Sequence, residues 1–111
     1  MKKLIILSFS MFLTIITSAY SKDYNLGDLE KIGFQKDSQQ FYQMIGAIDG
    51  WAGTLSDDTV EVYFFENKKK INDPFFKSLV PGDTWKDYCK KNNVALISTG
   101  NNACKLLKKL K

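Results

Sequence analysis

Lys2 and Lys3 lead into thirteen uncharged, mostly apolar residues, Leu4 to Ile16, and these run into the small residues Thr17, Ser18, Ala19 and Ser21. A positive start, an apolar run and a small-residue cleavage site are the three parts of a secretory signal. Cleavage after Ser21 uses Ala19 and Ser21 as the small pair, and cleavage after Ala19 uses Thr17 and Ala19. As a membrane anchor, the stretch from Leu4 to Ala19 reaches only about 24 Å as a helix, short of a hydrocarbon core ~30 Å thick. Ser8, Ser10 and Thr14 dilute it further. Residues 1–21 are therefore expected to be a cleaved signal peptide. The protein is expected to be exported, to the periplasm or the medium, with no stable membrane insertion after cleavage.

That leaves 90 of the 111 residues to fold. A core of that size is marginal, and small exported domains commonly add a covalent staple. The chain has two cysteines, Cys89 and Cys104. In an oxidising compartment an even count reads as a disulfide, worth about 3 kcal/mol for so short a loop. A strand between them complicates the geometry. Five residues of strand span about 16 Å, whereas bridged Cα atoms lie within about 7 Å. The bridge thus needs Lys90 to Asn93 to run away from Cys89 before the strand returns beside it. The alternative, a thiol-active redox protein, lacks the Cys-x-x-Cys spacing that would support it.

Charge divides the chain. Residues 22–67 hold three lysines against nine acids, and residues 68–111 hold eleven lysines against three acids. A bipolar surface follows if the two halves do not interleave. Every basic residue is lysine, so the bidentate arginine fork that reads nucleic-acid bases is missing, and no nucleic-acid partner is expected. There is no histidine, the commonest general base and metal ligand. No metal or cofactor is expected, and no catalytic constellation stands out. Asp57 and Asp58 sit where a hairpin turn favours aspartate, and neither Glu61 nor Glu66 has a placement that argues for carboxylate-pair chemistry.

The pattern along residues 37–111 predicts one α+β domain behind a polar lead-in, 22–36, in which Asn25 caps a short helix stopped at Gly33. Phe41, Met44, Ile45 and Ile48 recur at helical spacing behind Asp37 and predict a helix over 38–48. Strands are predicted over 51–55 and 59–65, joined by a turn at Ser56-Asp57-Asp58, and over 94–98. Helices are predicted over 74–79, with Asp73 as cap and Pro74 at the first position, over 84–91 and over 102–110. The glycine-dense segment 45–53 matches no phosphate or dinucleotide loop and is taken as a helix stop plus a close-packing strand glycine. The expected architecture is a small antiparallel sheet of about three strands with helices mainly on one face.

Two places are candidates for function. In 59–65, Val60, Val62 and Phe64 point to one face while Glu61, Tyr63 and Phe65 point to the other. If helices cover only the first face, Tyr63 and Phe65 remain open beside Glu61 as an apolar patch, the mark of a partner surface. The second candidate is Gly100, Asn101 and Asn102, where a strand meets a helix and free N–H groups favour an anion. The expected function is a non-enzymatic interaction module with a protein partner, and the alternative is a small-ligand or anion binder at Gly100–Asn102. The basic face of 102–110 is expected to be solvated, with Ala103, Leu106, Leu107 and Leu110 packing on the core.

Overall fold

Ser56 and Asp57 hold φ of 53° and 69°, the left-handed pair that a two-residue hairpin needs to match the twist of its strands. They join β2 (Asp49–Leu55) to β3 (Asp58–Phe64), with Leu55 facing Asp58. A second hairpin turns at Asn92, φ 52°, between β4 (Asp87–Lys91) and β5 (Val94–Ser98). With β1 (Gln35–Gln39), these strands make one antiparallel sheet in the order β1-β2-β3-β5-β4. The helices are α1 (Leu26–Lys31), α2 (Asp73–Lys77) and α3 (Asn102–Lys108). This computed structural model describes residues 23–111, so the leader expected at 1–21 lies outside the described residues.

The α+β class stands, but the sheet has five strands rather than three. The extra strands replace two expected helices. Over 84–91, the spacing of Trp85, Tyr88 and Cys89 fits a helix turn, yet Cys89 packs into one core cluster while Trp85 and Tyr88 pack against the other. Opposite-facing neighbours are the signature of a strand. β5 is buried along its whole length, and β4 supplies the pairing its outer edge needs, Cys89 opposite Leu96.

The helix expected over 38–48 does not form either. Gln35–Gln39 is an edge strand, exposed at every position, and a single 3₁₀ turn follows at Gln43–Ile45, ended by Gly46 at φ 80°. The apolar spacing there is not a buried stripe: Phe41, Met44 and Ile48 are among the most exposed large side chains, and only Ile45 packs partway on the core. The edge strand is polar and shifts register between Lys36 and Ser38, which discourages further strand addition.

Both faces of the sheet are covered. On one, α1 and α3 pack over Leu55, Val60, Val62, Phe64, Val94 and Leu96. On the other, Tyr63, Phe65, Ala95 and Ile97 are roofed by the 42–47 turn and by the connection that carries α2, with Ile71 and Phe76. Among the described residues two of the three helices share one face, as expected, while α2 and the 42–47 turn cover the other. The lead-in is tied in: Asn25 and Asp28 close a capping box on α1, and Tyr24 and Leu29 are core residues. Buried Asn93 accepts from the Tyr24 N–H (2.7 Å) and donates to the carbonyls of Tyr24 (2.9 Å) and Phe65 (3.1 Å).

Cys89 and Cys104 form the disulfide, with Cα atoms 5.7 Å apart. The condition set by the strand between them is met, because β4 runs on to Lys91 before the chain turns back as β5. Cys104 then returns over β4 in the first turn of α3. The bridge joins an edge strand to the terminal helix, so replacing both cysteines with alanine is expected to cost about 3 kcal/mol. For a domain this small, that lowers the melting temperature by roughly 12–24 °C, measured by circular dichroism on the variant and the oxidised wild type. A fall of less than about 4 °C would refute it.

Candidate functional site

Tyr63 and Phe65 are not an open patch. They are 7% and 0% exposed, because the connection between β3 and β4 crosses this face and lays Phe76 over them. Phe76 is the hub of an aromatic cluster. Its ring stacks on Tyr88 (5.1 Å, 9° between planes) and meets Tyr63 at 5.9 Å, Phe65 at 6.3 Å and Phe75 at 5.2 Å. The α2 turn that delivers it is capped by the Asn72 side chain, which accepts from the Phe75 N–H (3.2 Å). Asp73, expected as the cap, instead accepts from the Tyr88 hydroxyl and pairs with Lys90.

That roof is incomplete. Between α2 and the 3₁₀ turn it leaves a groove of about 360 Å³, walled by Phe41, Met44 and Ile45 on one side and Phe75 and Leu79 on the other. The floor is sheet: Tyr63 and Glu61 of β3 and Ile97 of β5, with Glu61 paired directly to Ile97 across the ladder. Phe41 and Met44 are 85% and 87% exposed and Phe75 is 39%. Gly50 lets the floor and wall close together. A Cβ there would lie 2.7 Å from the Tyr63 ring and 2.9 Å from Tyr42 Cβ. Of the residues first suspected, Glu61 and the edge of Tyr63 belong to this groove, while Phe65 lies wholly beneath it.

The groove is apolar except for Asn72 at the start of α2 and the polar groups of its floor. The Tyr63 hydroxyl donates to Glu61 Oε1 at 2.7 Å. Burial, and then this bond to a carboxylate, push the Tyr63 pKa well above that of an ordinary phenol, so the hydroxyl stays a donor. Beside the groove, Lys90 and then Tyr88 hold the Asp73 carboxyl below its ordinary range. Burial and the Asp73 carboxylate push Tyr88 up. These groups fix α2 to β4 and make no nucleophile.

At the junction of Gly100, Asn101 and Asn102, the protein places its own carboxylate on the N–H groups that start α3. Asp58 Oδ2 accepts the N–H groups of Asn102 (2.9 Å) and Ala103 (2.8 Å) and lies 3.0 Å from Ser98 Oγ. Asn101 makes no side-chain capping bond. A Cβ on Gly100 would strike the Asp58 carboxylate, so the glycine is there for Asp58. The N–H groups expected to attract an outside anion are spent on Asp58.

Sequence reasoning missed Phe41, Met44 and Phe75 as surface residues. For Phe41 and Met44 the one legible signal was Gly46, which interrupts the helical pattern just where the turn ends. Comparison with protein-family models, curated proteins and solved structures returns no match, so the groove is read on its own chemistry.

Proposed function

We propose that this protein is an exported interaction module that docks a protein partner in the apolar groove between Phe41, Met44 and Phe75. The observation that carries the proposal is the exposure of these side chains in a chain that already buries two apolar clusters. A small domain gains nothing in stability from holding large apolar groups in water, and clustered exposure around a concavity marks a binding surface. The disulfide supports an oxidising location. None of the helices of the described residues is long and apolar enough to cross a membrane.

The test is site-specific cross-linking in the native host. A photoreactive residue in place of Met44 is expected to give a discrete adduct, lost when Phe41 and Phe75 are changed to serine. One in place of Asp57, at the exposed hairpin turn, is expected to give none. The Phe41→Ser change touches a residue that is nearly all in water, so it is expected to move the melting temperature by no more than about 4 °C. Equal adducts from both positions, or adducts that survive the serine changes, would overturn the proposal.

A further inference from the structure

Glu61 is the one charged side chain that lines the groove, although lysines outnumber acids in the chain as a whole. One carboxylate oxygen is taken by the Tyr63 hydroxyl. Among the described residues no lysine or other donor reaches the second oxygen within bonding distance; the ion pair found there is Lys90 with Asp73. The Glu61 side chain is half-buried on a floor otherwise made of Tyr63 and Ile97. A carboxylate in such surroundings attracts a cation more strongly than one in open water.

We infer that the groove is selective for an apolar peptide segment of the partner that carries a lysine or arginine, its stem along Met44 and Phe75 and its charged head on Glu61. Long basic side chains suit such a site, since their methylene stems cover apolar surface while the head reaches a polar group. The partly exposed Phe75 ring adds to the attraction for a cation. An acidic segment would bring its own carboxylate against Glu61 and be rejected. The inference rests on the groove being the docking surface, and the experiment separates the two.

Three blocked peptides serve as probes: acetyl-Leu-Phe-Lys-Leu-amide and the same peptide with norleucine or glutamate in place of lysine. Binding to the disulfide-bonded protein is followed by amide chemical shifts of Ala95, Leu96 and Ile97. The lysine peptide is expected to bind about fivefold more tightly than the norleucine one, and the glutamate peptide most weakly. In Glu61→Gln, which keeps an oxygen to accept from Tyr63, the lysine preference is expected to shrink to less than about twofold. A preference that persists in Glu61→Gln, or no preference in the wild type, overturns the cation inference and leaves the groove standing. If no peptide shifts these amides, or Phe75→Ser leaves the titrations as they were, the groove itself fails. Sedimentation as a dimer, with the peptides excluded, would assign the groove to a second copy and overturn both.

Discussion

Phe76→Ala is expected to cost about 4 kcal/mol, the range seen when a fully buried aromatic is truncated. No part of the Phe76 ring reaches solvent, and it touches four other aromatic rings. Removing it takes the transfer energy of the ring and leaves a void that Tyr63, Phe65 and Tyr88 cannot all collapse into, because two of them sit on paired strands. The groove lies directly above, so its floor would sag as stability falls. The check is a urea titration with peptide binding measured in parallel. Phe76→Leu, which refills part of the space, is expected to recover at least half of the loss. A Phe76→Ala cost below about 1.5 kcal/mol would mean that the second cluster is not the rigid support described here.

Asp58→Ala is expected to cost about 3 kcal/mol, although Asp58 is polar and stands beside a turn. It is 6% exposed, and its Oδ2 alone receives two backbone N–H groups at the start of α3. Hydrogen bonds to a charged acceptor are worth more than neutral ones, and deleting the acceptor strands donors in a place that water reaches poorly. The negative charge also faces the positive end of the helix. Asp58→Asn keeps one oxygen and loses the charge, so about half the penalty is expected. Hydrogen exchange at the Asn102 and Ala103 amides locates the effect: protection there should fall in Asp58→Ala before it falls in β3. Unchanged protection at both amides would refute the assignment.

These two residues show where the sequence was legible. Val60, Val62 and Phe64 against Glu61, Tyr63 and Phe65 gave β3 its faces, and Val94–Ser98 was read as a strand to the residue. The hairpin at Ser56-Asp57, the proline start of α2 and the leucine stripe of α3 were all readable because each is a local pattern with a local cause. The disulfide was readable because compartment and cysteine count constrain it from outside the fold. What failed was long-range. Whether Tyr88 and Cys89 share a helix face or oppose each other across a strand depends on β5 lacking a neighbour, a fact about residues 94–98. Asp58 looked like turn chemistry because its two N–H donors lie more than forty positions away. Phe41 and Met44 looked like core because their spacing suits a helix, and only the pairing of Gln35–Gln39 with β2 takes that helix away.

Within the sheet, β1, β2 and β3 come from the acidic half of the chain and β5 and β4 from the basic half, so the halves stay side by side there, while α2 of the basic half crosses over Tyr63 and Phe65 of the acidic half.

The Tyr24 hydroxyl donates to the carbonyl of Leu110 at 3.3 Å, which ties the two ends of the described residues together on the sheet face that α1 and α3 cover. The groove opens on the other side of the sheet. A molecule hung from either extremity, whether on a sensor chip, a bead or a fused carrier, would face its surroundings with Phe41 and Met44 foremost and its point of attachment hidden at the rear.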